Sequence, residues 1–263
     1  MPSIYEAILE AERTGQPAAL ATVVRARGSV PRHETSKMLV YADGRIVGTV
    51  GGGEVEHRTI EQARQVAVEG TARLLSHSLV DPSRGDAGVC GGEVQVFIEP
   101  ITPPPTLLIL GAGHVGRALA HLAHWMGYRV VVADDRADLC TRDFIPDADE
   151  FVVGSMADAM SQLRLDHRTY VACVTRGYLF DVDALPILLN TPAPYIGVIG
   201  SRRRWTMALQ GLHDKGVSDE SLARVRAPIG LEIEAETPEE IAVSIMAEII
   251  LLRRGGTGRP MSG

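Results

Sequence analysis

Long apolar stretches are missing from this sequence. No run approaches the roughly 20 uninterrupted apolar residues that a membrane-spanning helix requires. The opening Met1-Pro2-Ser3-Ile4-Tyr5-Glu6 lacks the basic-then-apolar layout of a secretory signal. A cytoplasmic protein with no membrane partner is therefore expected. Cysteine is scarce: Cys90, Cys140 and Cys173 are odd in number and far apart, and no C-x-x-C occurs. That argues against both a disulfide framework and a thiolate zinc site. An excess of basic residues is also lacking. The formal net charge is −7, and phosphate-backbone affinity needs a basic surface, so no nucleic-acid partner is expected. There is no internal repeat or low-complexity segment, and no spacing pairs a serine or cysteine nucleophile with a histidine base.

What remains is the composition of an ordinary globule, 45% hydrophobic and 22% charged over 263 residues. Such a chain can bury a sizeable core, as one large or two modest domains. Pro103-Pro104-Pro105 marks the seam, because three prolines favour a stiff extended spacer. The expected domains are 1–102 and 106–263; the alternative is an exposed loop within one domain. Before the seam, Ile4, Ile8 and Leu9 predict a helix ended by Gly15-Gln16-Pro17. Strands are predicted over 19–24, 38–41, 46–50 and 94–98, with Asp43-Gly44 as a hairpin turn and a helix over 55–69. This reads as a small α+β domain.

After the seam, short apolar runs begin at Leu107, Val130, Phe151, Tyr170 and Tyr195, separated by helical patterns. They do not alternate apolar with polar, as befits strands buried on both faces. A Rossmann-like doubly wound parallel α/β sheet follows. Thr237, Pro238 and Glu240 predict a capping box that starts the last helix.

Gly111-Ala112-Gly113-His114-Val115-Gly116 follows a predicted strand and opens a helix. In this context Gly111 permits the tight turn, Gly113 the approach of a pyrophosphate, and Gly116 close helix packing. Asp134 ends the second strand, where ribose hydroxyls are expected, with Asp135 as the second choice. Arg136 tolerates a 2′-phosphate, so NAD versus NADP stays open. The other reading is a Rossmann fold that has lost its nucleotide. Gly200-Ser201-Arg202-Arg203-Arg204 is a second strand-to-helix turn: Ser201 is a candidate N-cap and the arginines can clamp phosphate. Asp181 and Asp183 follow a strand and read equally as site residues or as caps. His114, His121 and His124 share one side of a helix, but nothing completes a ligand set, so only His114, inside the loop, is kept. In the first domain Arg32, the flexible Gly51-Gly52-Gly53 loop and Cys90-Gly91-Gly92 stand out. Cys90 is the best candidate for a reactive or metal-touching sulfur, and Cys173 reads as a buried strand residue.

The ordered set GSVPRHETSKMLV from Gly28, GTVGGGEVEHR from Gly48, CGGEVQVFIEP from Cys90, GAGHVGRALA from Gly111, YIGVIGSRRR from Tyr195 and TPEEIAVSI from Thr237 resembles the xanthine dehydrogenase accessory protein family, XdhC/CoxI type. The resemblance spans nearly the whole chain. It implies binding of the molybdenum cofactor, support of its sulfuration with a cysteine desulfurase, and delivery to a xanthine dehydrogenase-type apoenzyme. Some CoxI-type relatives carry a cysteine where this chain has Gly53, so their thiol chemistry is not carried over there; Cys90 matches the pattern.

The expectation is a non-catalytic molybdopterin chaperone, with ligand where both domains meet the carboxyl edge of the parallel sheet. Arg32, Gly52, Gly53 and Cys90 are expected to face it from the first domain. Gly111, Gly113, His114, Gly116, Asp134, Gly200, Ser201 and Arg202 are expected to do so from the second. An NAD(P)-dependent oxidoreductase is the rival, a regulatory nucleotide sensor the third reading, and a homodimer is left open.

Overall fold

In the computed structural model the described residues are 3–27, 34–78 and 92–262. The chain divides into two compact units, Met1–Pro104 and Pro105–Gly263. Among the described residues the first unit has an antiparallel sheet of β1 (Ala18–Arg27), β2 (Lys37–Tyr41), β3 (Ile46–Gly48), β4 (Arg73–Ser78) and β5 (Glu93–Ile101), in the order β3-β2-β1-β5-β4. Its helices are α1 (Ile4–Thr14) and α2 (Gly53–Glu69). Side chains alternate along central β1. Ala18 and Leu20 pack with Ala7 and Ala11 of α1, while Ala19, Ala21 and Val23 pack with Val55, Ala63 and Val66 of α2. A strand covered on both faces needs small side chains if both helices are to come close, and β1 supplies alanines. The first helix closes on Gly15 in the left-handed conformation, as the glycine there predicts. Strand β4 is not among the predicted strands: Leu74 and Leu75 break the alternation, and Leu74 is exposed on the sheet edge. An edge strand is held by its ladder to β5 more than by burial, so it leaves little hydrophobic signature.

The second unit is the doubly wound fold. Among the described residues β6 (Thr106–Leu110), β7 (Arg129–Asp134), β8 (Glu150–Val153), β9 (Thr169–Cys173), β10 (Tyr195–Val198) and β11 (Val225–Arg226) are parallel, in the order β11-β10-β9-β6-β7-β8. The helices are α3 (His114–Trp125), α4 (Met156–Gln162), α5 (Tyr178–Leu188), α6 (Arg202–Asp214), α7 (Asp219–Leu222) and α8 (Pro238–Arg254). The central strands each serve two cores. Leu107, Ile109, Val130 and Val132 face α3 and α8; Leu108, Leu110, Val131 and Ala133 face α4, α5 and α6. Burying a leucine or valine side chain this fully stabilises by about 1.5–3 kcal/mol, which explains runs with no polar member. Cys173 lies in the second of these cores, fully buried, and burial holds its thiol in the protonated form. The predicted capping box of α8 is present, with Thr237 and Glu240 each bonding the other's backbone. The chain order reverses beside β6, which puts a crevice at the carboxyl ends of β6 and β9.

Candidate functional site

The glycine turn leaves β6 at that crevice. Gly111 has φ +122°, and a Cβ there would lie 2.6 Å from the Val174 carbonyl oxygen, so both conformation and space demand glycine. At Gly116 a Cβ would lie 2.0 Å from the Gly111 oxygen: the first turn of α3 rests directly on the turn's backbone. Gly113 differs, since a Cβ there would point into open space. It is the N-cap of α3 and no side chain caps that helix, so its first-turn amides are left for an incoming group. His114 is exposed, edge-on to Phe144 at 6.4 Å. With Arg117, His121 and Asp147 it lines a groove of ≈ 710 Å³ along α3 and α8.

Asp134, where ribose hydroxyls are expected, has a carboxylate that already accepts four hydrogen bonds within the protein. One oxygen accepts the Ala112 amide at 2.6 Å and the Arg136 Nη2 at 2.7 Å, and the other accepts the Arg136 amide at 2.9 Å and its Nε at 2.8 Å. Burial by itself would raise the Asp134 pKa, but the Arg136 guanidinium and the two amides outweigh it and hold the carboxyl down at about 2. Asp135 is engaged too. Arg176 forks it with Nη1 at 2.7 Å and Nη2 at 2.8 Å, its guanidinium lying 4.4 Å above the Phe180 ring.

Behind Arg176 sits a buried polar cluster that the sequence does not reveal. The Thr175 hydroxyl donates to Asp181 at 2.7 Å. Arg204 donates from Nη2 to Asp181 and to the Thr175 hydroxyl, both at 2.7 Å, and from Nη1 to the Thr175 carbonyl at 2.9 Å. Asp181 is fully buried, and desolvation lifts its pKa against the pull of Arg204. Neither carboxylate of the 181–183 pair caps a helix: Gly177 is the N-cap of α5, and Asp183 pairs with Lys215 at 2.7 Å. Arg204 is likewise not a free phosphate clamp. Gly200, at φ +136°, is glycine because a Cβ would stand 2.6 Å from the Arg204 Cδ. Ser201 caps α6 as predicted, and Arg202 stays exposed, lining with Gly200 a pocket of ≈ 540 Å³.

In the first unit Gly51, Gly52 and Gly53 all have positive φ, at +134°, +76° and +63°. The Glu56 carboxylate turns back onto them, accepting the Val50 and Gly52 amides at 3.1 Å each and the Thr49 hydroxyl. Burial opposes its ionisation, and the Thr49 and backbone bonds overcome that and lower its pKa. Outward of Gly52 and Gly53 there is open space. Arg32 and Cys90 lie outside the described residues. Among the described residues no group of three or more histidine, cysteine or carboxylate side chains could hold a metal ion, and no helix is long and apolar enough to cross a membrane.

Residues 107–249 match the family model described as the XdhC Rossmann domain, and residues 11–78 match that of the XdhC and CoxI family. The protein YqeB of Escherichia coli (strain K12) is 38% identical over 97% of this chain, which spans 47% of that relative's length. A probable xanthine dehydrogenase subunit from Bacillus subtilis (strain 168) is 25% identical, with 96% of this chain and 97% of the relative covered. The molybdenum cofactor insertion chaperone PaoD of Escherichia coli (strain K12) is 24% identical, with 95% and 88% covered. A crystal structure of a xanthine dehydrogenase from Bacillus halodurans superposes with a TM-score of 0.53 at 25% identity, covering 100% of this chain and 98% of that one. A doubly wound sheet with its glycine turn, and family matches on both sides of the proline seam, have one common reading: the chain belongs to the XdhC and CoxI family.

Proposed function

We propose that this protein is an accessory protein of molybdenum-enzyme maturation, one that binds the molybdenum cofactor without turning it over. In fuller form, it holds the cofactor during sulfuration by a cysteine desulfurase and hands it to a xanthine dehydrogenase-type apoenzyme. Family membership and the names of two relatives, a cofactor insertion chaperone and a probable component of xanthine dehydrogenase, support the reading. The observation that carries it is the uncapped start of α3 behind Gly113, where the space a side chain would fill stands open. Molybdopterin bears a phosphate, and amides at a helix N-terminus suit it. Arg202, exposed beside the Gly200 turn, adds a cation at the carboxyl edge of the same sheet. When bound, the cofactor supplies the molybdenum centre; this chain's residues bind and orient it. Arg32, Gly52, Gly53 and Cys90 are the contacts proposed from the first unit.

The test is anaerobic titration of the purified chain with molybdenum cofactor and, separately, with NAD(H) and NADP(H), following fluorescence quenching. Tight cofactor binding that weakens at least tenfold in Arg202→Ala or Cys90→Ala is expected. Hydride transfer from a bound nicotinamide, with no affinity for molybdopterin, would reject the reading and favour an oxidoreductase.

A further inference from the structure

We propose that the rim of the glycine turn selects a phosphate monoester over a free ribose diol, and that Arg176, stored on Asp135, is the residue that takes it. The proposal rests on the reading that the turn itself holds a phosphate. In a sheet of this order, the carboxylate ending the strand after the glycine turn ordinarily accepts the two ribose hydroxyls. A carboxylate has about four acceptor positions. Four donors already occupy those of Asp134: the Ala112 amide, the Arg136 amide, and the Arg136 Nε and Nη2. A diol could enter only by displacing a forked guanidinium, a stronger partner than a hydroxyl.

Arg176 and Asp135 follow β9 and β7, the two strands that flank β6. Their ion pair therefore spans the carboxyl end of β6, where the glycine turn begins. Nη1 of Arg176 also lies 3.9 Å from Asp134, so two guanidinium groups meet two carboxylates over the turn. The pair is open to solvent, Arg176 at 45% and Asp135 at 35% exposure. Exposed ion pairs are weak, and a phosphate offers the guanidinium fork two oxygens at matching spacing with up to twice the charge. The backbone that presents Arg176 is fixed, because Thr175 is bound by Arg204 and Asp181 in the buried cluster. The guanidinium thus has a defined resting place and can change partners without rebuilding the turn.

The rim takes a phosphate monoester in addition to the phosphate on the turn, as a 2′-phosphorylated dinucleotide provides; molybdopterin, with one phosphate, fills the turn alone. Calorimetric titration with adenosine 2′,5′-bisphosphate and with 5′-AMP separates rim from turn. The wild-type protein should bind the bisphosphate at least tenfold more tightly than AMP. Arg176→Ala should reduce that ratio to near one. Asp135→Asn, which frees Arg176, should tighten the bisphosphate severalfold and leave AMP unchanged. Equal affinities in the wild type, or an Asp135→Asn variant indistinguishable from it, overturn the rim proposal and leave a phosphate on the turn intact. No binding of either probe overturns both. Displacement of the bisphosphate by NADP, more strongly than by NAD, identifies the source; equal displacement by the two overturns the assignment.

Discussion

Removing the Asp181 carboxylate should unfold the second unit well before the wild type. Asp181→Ala removes the charged acceptor of the Arg204 Nη2, leaving it only the Thr175 hydroxyl, and takes the shorter of two acceptors from that hydroxyl, which keeps the Gly177 carbonyl at 3.1 Å; it also opens a small void. The Arg204 Nε already has no hydrogen-bond partner among the described residues, so the guanidinium loses its one counter-charge while part of it is unsatisfied. Breaking one side of a buried pair costs about 3–5 kcal/mol. Arg204 is 21% exposed, so water recovers part of its solvation and the lower end applies, about 3 kcal/mol. For a unit of this size that corresponds to a fall in Tm of about 6–12 °C in scanning calorimetry. Thr175→Val, Asp181→Leu and Arg204→Met together remove every polar side-chain atom of the cluster and should regain at least half of the loss, since an apolar replacement of a buried pair is often neutral. A melting temperature for Asp181→Ala within about 1 °C of wild type would refute the claim that this pair holds the turn carrying Arg176.

Two alanines in the glycine turn should separate folding from binding. Gly116→Ala forces a Cβ to within 2.0 Å of the Gly111 oxygen and should cost about 3 kcal/mol in urea unfolding. Gly113→Ala, whose Cβ meets nothing within 4 Å, should change stability by less than about 1 kcal/mol yet weaken phosphate-bearing ligands in calorimetry. Acid should act through Asp134. Its pKa falls from 3.8 to about 2 on folding, so its contribution, about 2 kcal/mol, is complete above the unfolded value and is lost as pH drops through about 2. Urea midpoints measured from pH 5 to pH 2 should show that loss in the wild type and not in Asp134→Asn. Glu56→Ala should release the Val50 and Gly52 amides, with hydrogen exchange at Gly52 faster by roughly tenfold, about 1.4 kcal/mol.

The parts of the fold legible in the sequence are those written locally. Runs such as Leu107–Leu110 announce strands buried on both faces, and Thr237-Pro238-Glu239-Glu240 announces a helix start within four residues. Strand β4 is not legible, because its identity depends on its partner. The same division holds at the site. Gly111, Gly113 and Gly116 carry their roles in their spacing. The fork between Arg176 and Asp135 joins residues 41 positions apart and exists only because β9 and β7 both border β6. Asp181 reads equally as a site residue or a helix cap because it follows a strand and sits at a helix start; burial beside Arg204 gives it another use.

The two glycine-rich turns look alike as strings of letters and are opposite as electrical objects. The helix after Gly51–Gly53 has Glu54 and Glu56 in its first turn, and Glu56 folds onto its own amides, so α2 arrives with its counter-charge built in. The helix that starts within Gly111–Gly116 has no acidic residue in its first turn, so its amide end has no counter-charge built in. The two turns therefore present different fields: the amides behind Gly113 carry no counter-charge of their own, while those at Val50 and Gly52 already hold the Glu56 carboxylate. The glycines set where the backbone lies open, and a single glutamate sets whether the amides there are already satisfied.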